Sequence, residues 1–298
     1  MAFNTTGVSH REGVSMEFEV CDIINDCYKV KQDILNIIDD SVKIIGKVSD
    51  VNCIHFGGTD NKKDAQVFCY NRDINAGKHS SVSYTISIKK KKYVNNKPKG
   101  TFDVINTTLK KFNDEYKVFD NNKIERIIAW LDSKKPIIHT KNDLKYIRKP
   151  FSNLIDELLD SVSNKQVDSF VLLTKKEFFK TDLLIVARTE VKNEAELLTN
   201  IYVEKEKNIR LFDEEDLSGN SFYFVKGKGK SSRQVWVKTK KGVCSKTPYR
   251  VRLALNNGLG AYYGLSDSND RSDLTIKIQV DGVTYITDQM ECYPIKYL

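Results

Sequence analysis

"SVSYTISIKKKK" (residues 81–92) alternates apolar and polar side chains and then ends in four consecutive lysines. Such alternation marks a strand with one face buried. Val82, Tyr84, Ile86 and Ile88 share one face, and Ser83, Thr85, Ser87 and Lys89 share the other. Ser87 and Lys89 therefore point the same way, about 6.6 Å apart along the strand. Upstream, "DAQVFCY" (64–70) reads as a second strand, and "NRDINAGKHS" (71–80) carries the Asn, Asp and Gly of a turn. The two form a hairpin-like unit with a long connection. "GGTDNKKDAQV" (57–67) sets Asp64 at the mouth of the first strand, after a Gly-Gly turn. A carboxylate on one strand and an amine on the next can then converge on a single phosphate.

Outward from this pair the period changes. Residues 12–28 place apolar side chains at 16, 20, 23/24 and 27, the spacing of an amphipathic helix, with Ser9 and Glu12 as a capping box. "KQDILNIIDDSVKII" (31–45), 101–116, 121–132 and 151–162 read as further helices. "DSFVLLTK" (168–175) and "DLLIVARTEV" (182–191) read as buried strands. Helix, hairpin, helices and strands in this order make an α/β core, with α+β as the alternative. After residue 215 the texture becomes β-rich. "SFYFVKGKG" (221–229), "RQVWVKTKKG" (233–242), "YRVRLAL" (249–255), "LTIKIQVDG" (274–282) and "VTYITDQ" (283–289) alternate between Gly, Ser and Asp turns. The expected organisation is a core over 1–215 and a β-rich lobe over 216–298.

The 298 residues suffice for one large or two modest domains. No run of eighteen apolar residues occurs, so no helical membrane span is expected. The first residues show no secretory or transit pattern, which makes the cytoplasm the expected address. Six cysteines lie scattered without CxxC or His/Cys ligand spacing, an argument against structural zinc and for reduced thiols. The histidines, His10, His55, His79 and His139, form no cluster and read as turn or packing residues. No phosphate-binding loop and no nucleophile elbow is present. Forty-eight basic against forty acidic residues give a net charge of +8, compatible with a polyanionic partner. The basic residues cluster at Lys89–Lys92, at "KGKGKSSR" (226–233) and at "KTKKG" (238–242).

Asp64 followed by Ser87-Ile88-Lys89 resembles the PD-(D/E)xK superfamily of metal-dependent nucleases, in a short motif over residues 10–110. In that family an Asp opens one strand, and an acid, any residue and a Lys follow on the next. Here no proline precedes Asp64, and Ser87 stands where the second acid belongs. A hydroxyl cannot neutralise a divalent cation. The family remedy is a glutamate from the helix before the core. "REGVSMEFEV" (11–20) is similar to that helix, including its Gly-x-x-x-Glu from Gly13 to Glu17. The resemblance implies Asp64 and Glu17 as metal ligands with the Ile88 carbonyl, Lys89 as the catalytic lysine and Ser87 as a water-positioning hydroxyl. Glu12, Glu19 and Asp103 remain alternatives to Glu17. "GTFDVINTT" (100–108) resembles a segment that follows the catalytic strand in several restriction enzymes, where a helix lies on the sheet.

The chemistry fits these residue types. Phosphodiester cleavage needs a hard cation on carboxylate oxygens, for which Mg²⁺ suits better than zinc, and an ammonium near the phosphate. The resemblance implies a restriction-endonuclease-like core, a central mixed sheet flanked by helices. The implied enzyme is a type II restriction endonuclease cutting a short double-stranded DNA site and leaving a 5′-phosphate. A homodimer is expected, since one site per subunit then cuts both strands of a palindrome. Lys90, Lys91 and Arg233 are the expected phosphate contacts. Arg250 and Arg252, on one face of a strand before a turn at Asn256 and Asn257, suit base edges in the major groove. The alternatives are a repair or junction nuclease on the same core, or a non-catalytic DNA-binding protein with a degenerate nuclease fold.

Overall fold

The computed structural model describes residues 5–41, 48–56, 64–73, 78–95, 97–178, 183–188, 198–204, 219–227, 231–266, 272–284 and 290–294. The chain divides into two units. The first takes Met1–Gly100, Phe178–Leu211 and Gly282–Leu298, and the second takes Thr101–Glu177 and Phe212–Asp281. One junction falls near the expected boundary at 215, but each unit is assembled from separated segments rather than from one half of the chain.

The first unit opens with helices α1 (Thr5–Asp26) and α2 (Tyr28–Ser41) and strands β1 (Val48–His55), β2 (Ala65–Asp73) and β3 (Lys78–Lys91). A short β4–β5 pair (Tyr93–Val94, Lys97–Pro98) follows. After the second unit's first segment come β7 (Leu183–Arg188), β8 (Leu198–Glu204) and β13 (Met290–Pro294). The sheet order is β1-β2-β3-β7-β8-β13, antiparallel except that β3 and β7 run parallel. α1 starts at Thr5, so Ser9 and Glu12 lie inside the helix and do not cap it. A serine within a helix costs only a fraction of a kcal/mol against better formers, roughly 0.5, which the apolar stripe outweighs. That stripe, Met16, Val20, Cys21 and Ile24, is buried against Val51, Cys53, Ala65, Val67, Tyr84, Ile86 and Ile88 of the sheet.

β1 is the outer strand of this sheet, and α1 holds it with a row of side chains one helical turn apart. Glu17 meets His55, Cys21 meets Cys53 at 3.3 Å between sulfurs, and Asn25 meets the Cys53 backbone. The Asn25 amide donates to the Cys53 carbonyl at 2.9 Å, and its oxygen accepts the Cys53 N–H at 2.8 Å. Both backbone groups point away from β2, so the side chain replaces a neighbouring strand at that position.

The second unit contains β6 (Thr101–Thr108), α3 (Leu109–Tyr116), α4 (Asn121–Ser133), α5 (Leu144–Asp160) and α6 (Asn164–Phe178). Then come β9 (Ser221–Lys226), β10 (Ser232–Lys238), β11 (Cys244–Leu255), α7 (Gly258–Tyr262) and β12 (Leu274–Asp281). An antiparallel sheet runs β6-β12-β11-β10-β9. Its inner face (Ile105, Val251, Leu253, Ile276, Ile278) packs on Leu109, Phe112, Ile127, Leu131, Ile155 and Phe170 of the helices.

Two expectations are corrected here. Residues 101–108 form a strand and not the start of a helix, because Phe102 and Ile105 bury against β12 while Asp103 and Asn106 face out. Thr108 then caps α3, its hydroxyl accepting from Lys111 N–H. Residues 168–175 lie in a helix and not a strand. Val167, Phe170, Val171 and Thr174 are all buried at helical spacing. Ser163 and Gln166 form the reciprocal cap at its start, Gln166 Oε1 accepting Ser163 N–H at 2.8 Å and Ser163 Oγ accepting Gln166 N–H at 3.4 Å. The segment 283–289 falls largely outside the described residues. Among the described residues no helix is long and apolar enough to cross a membrane.

Candidate active site

β2 and β3 lie side by side with Ala65 opposite Ile86, and their ladder closes with Asp64 N–H donating to the Ile86 carbonyl at 2.9 Å. β2 begins at Ala65, opposite Ile86, whereas β3 continues to Lys91. The Ile88 N–H would lose its partner there, and the Asp64 side chain supplies one: Oδ2 accepts it at 2.6 Å. The same oxygen accepts from Ser87 Oγ at 3.2 Å and Lys89 Nζ at 3.2 Å. The other carboxylate oxygen, Oδ1, accepts nothing from the described residues. Asp64 is about one-sixth exposed and Lys89 one-third, at 17% and 34%. The cluster is polar and reaches solvent. It can present a carboxylate oxygen and an ammonium to one anion or cation at a strand mouth.

The acid expected from α1 stands at the same end of the sheet. His55 lies opposite Ala65, the residue after Asp64, and its Nε2 is 2.8 Å from Glu17 Oε2. Phe18 packs on the imidazole with ring centroids 4.0 Å apart. His55 shares the helix-covered face with Cys53, whereas Ser87 and Lys89 alternate with the buried Ile86 and Ile88 and emerge from the opposite face. Asp64, Ser87, the Ile88 backbone and Lys89 are thus brought together. Glu17 is held by His55, with Oε1 unengaged by the described residues. No sequence pattern marked His55, since its partner lies 38 residues away. Among the described residues no three His, Cys, Asp or Glu side chains converge on one point.

The remaining expected residues are distributed as follows. Glu19 is exposed, and the Glu12 side chain and the Gly57–Gly58 turn lie outside the described residues. Asp103 belongs to the second unit, where Oδ1 accepts Gln279 Nε2 at 2.6 Å and Oδ2 lies 3.5 Å from Lys277 Nζ. Lys90 is exposed and Lys91 half-buried at the end of β3.

Arg233 does not serve as an exposed DNA contact. It is 1% exposed, and its guanidinium bridges Asp156 at 2.5 Å and Asp160 at 2.6 Å, tying β10 to α5. Burial alone would raise the Asp156 pKa, but hydrogen bonds and charge from Lys226 and Arg233 hold it below the ordinary value. Arg250 and Arg252 are exposed on the outer face of β11, as their alternation predicts. Asn256 is occupied by its own turn, accepting the N–H groups of Asn257 and Asp273 at 2.9 Å each. Asn257 leads into α7 rather than into a hairpin. Tyr262 and Tyr263 pack toward α4, bonding Asp132 Oδ1 and the Leu131 carbonyl, and burial pushes the Tyr263 hydroxyl up to about 12.

Compared with protein-family models, with curated proteins and with solved structures, the chain gives no significant match.

Proposed function

We propose that this chain is a Mg²⁺-dependent nuclease that hydrolyses phosphodiester bonds at a short double-stranded DNA site and leaves a 5′-phosphate. The observation that supports it is the Asp64 carboxylate at the start of β2 beside β3, with Ser87 and Lys89 on the same oxygen and Oδ1 accepting from no described residue. This is the placement that the resemblance to PD-(D/E)xK nucleases calls for, an Asp opening one strand and the x-Lys on its neighbour.

The donor set suits Mg²⁺. That ion keeps several waters and binds through one or two carboxylates plus substrate phosphate, so a single protein carboxylate at the mouth is a sufficient anchor. Asp64 Oδ1 would hold it, with the Ile88 carbonyl as a further oxygen donor, whereas Glu17 stands with His55 on the helix-covered face and not beside Asp64. When bound, the ion neutralises charge on the phosphate and acidifies a water. Lys89 places its ammonium beside the oxygens that gain charge as the phosphorus is attacked. Ser87 orients a water through its hydroxyl. Phe18 and Glu17 fix the His55 ring at the same end of the sheet.

Incubating the purified protein with supercoiled plasmid and Mg²⁺ tests the reading. Discrete linear fragments support a site-specific endonuclease, and their loss in Asp64→Asn and Lys89→Met ties it to this cluster. Plasmid left intact over a range of Mg²⁺ and Mn²⁺ rejects it.

One observation favours a second reading, a DNA-binding protein without catalysis. Ser87 supplies no second charge, and Asp64 Oδ2 is fully engaged in closing the ladder. Retarded but uncut DNA in the same experiment would select it.

A further inference from the structure

The outer face of the second unit's sheet, opposite its helices, is a row of cations. Alternation from the buried Thr247, Tyr249, Val251 and Leu253 turns Lys246, Arg250 and Arg252 of β11 outward, and all three are exposed. From Lys246 to Arg252 the row extends about 20 Å along one strand. Lys277 of β12 stands directly opposite Arg252 in the register. Like charges facing each other across a ladder are destabilising unless an anion joins them. Two acids share the face. Asp103 is engaged by Gln279 and Lys277, and Asp281 lies at the far end of β12. Cations therefore outnumber acids, and no described residue bonds the Arg252 guanidinium.

Two amides on this face are already engaged, while Asn106 of β6, opposite Lys277, is exposed. Gln234 donates to the carbonyls of Thr247 and Tyr249 at 2.7 and 2.6 Å, and Gln279 donates to Asp103. The face otherwise presents a line of guanidinium and ammonium groups spaced along one strand, groups that pair with phosphate oxygens.

We infer that this face binds the phosphodiester backbone of duplex DNA without reading its sequence. The duplex as occupant rests on the nuclease reading above. The elongated row favours a polyanion over a small phosphate ligand. Arg250 and Arg252 then act as backbone contacts, not as readers of the major groove.

The test is the affinity for two unrelated duplex oligonucleotides at several salt concentrations in EDTA, so that cleavage plays no part. Arg252→Gln with Lys277→Gln, and separately Lys246→Gln, are compared with the wild-type chain after circular dichroism has verified folding. The expected result is weaker binding to both duplexes alike. The slope of log K against log[salt] should shrink by about one for each cation removed. Unchanged binding, or a loss confined to one sequence, overturns the inference. So does tighter binding of polyglutamate than of DNA at equal charge, which would assign the face to an acidic protein. A wild-type chain that cuts plasmid while the variants bind normally removes this inference alone. Binding that needs these cations without any cleavage keeps it and removes the nuclease reading. No duplex binding at all removes both.

Discussion

Asp64 and Ile88 are joined by a 2.6 Å hydrogen bond that continues the β2–β3 ladder with a side chain, one residue before β2 begins at Ala65. One carboxylate oxygen thus serves structure, and the other accepts from no described residue. The two roles separate by substitution.

Asp64→Ala removes the acceptor for a backbone N–H and is expected to destabilise by about 1–3 kcal/mol. Asp64→Asn keeps an acceptor at the same place and should lose under about 1 kcal/mol. Both should abolish plasmid cleavage. Thermal melts alongside cleavage assays check this, and an active Asp64→Asn would show that the carboxylate charge is not needed. Lys89→Met should leave the melting temperature nearly unchanged, since so exposed an ion pair is worth less than about 1 kcal/mol.

Glu17 has a structural partner in His55 and a second oxygen that no described residue engages. Glu17→Gln keeps an oxygen that can accept from the His55 ring but loses the charge. If Glu17 helps hold the cation, cleavage should fall by tenfold or more and respond to raised Mg²⁺. If it only fastens α1 to β1, the rate should match wild type.

Arg233 is expected to matter for stability alone. Replacing it with Gln leaves Asp156 with Lys226 alone and the largely exposed Asp160 without its cation, and should cost about 1–3 kcal/mol. The folded pKa of Asp156 lies below its unfolded value, so this contribution is complete above the unfolded pKa, roughly pH 4, and fades as pH falls through the folded one. The melting-temperature gap between wild type and Arg233→Gln should therefore be constant from pH 7 to about 5 and narrow toward pH 2. DNA binding of the folded variant should be unaltered.

The thiols should react in order of exposure. Cys244 is exposed, whereas Cys21 and Cys53 are 4% and 3% exposed and meet each other. The hydrogen bond to Cys21 and burial raise the Cys53 thiol well above its ordinary range. Iodoacetamide on the native chain should label Cys244 first. Cys21 and Cys53 should label only at a rate set by opening of the α1–β1 contact.

Much of this architecture was legible where one local period dominates. The alternation over 81–89 and 64–70 located β3 and β2 and the phase that puts Ser87 and Lys89 together. The stripe Met16, Val20, Ile24 located α1, and the strands β9 to β12 followed from their turns. The errors lie where two periods compete. "DSFVLLTK" is too uniformly apolar to separate strand from helix, and its Ser163–Gln166 cap was the deciding signal. "TFDVINTT" reads as a strand only because β12, some 170 residues later, covers Phe102 and Ile105. β1, "VSDVNCIH", lacks clean alternation, and its position depends on Asn25 and Glu17 of α1. Arg233 looked like a solvent-facing cation in a lysine-rich loop; only the fold brings Asp156 and Asp160 to it.

The grip of Asn25 on Cys53 has a consequence for how copies of this chain meet. A bare outer strand is a template on which a second molecule can add its own strand and begin an aggregate. With the amide seated there, such growth must first evict a side chain already making two hydrogen bonds. Asn25→Ala would reopen that seam, and self-association of the folded chain should rise even though nothing apolar has been uncovered.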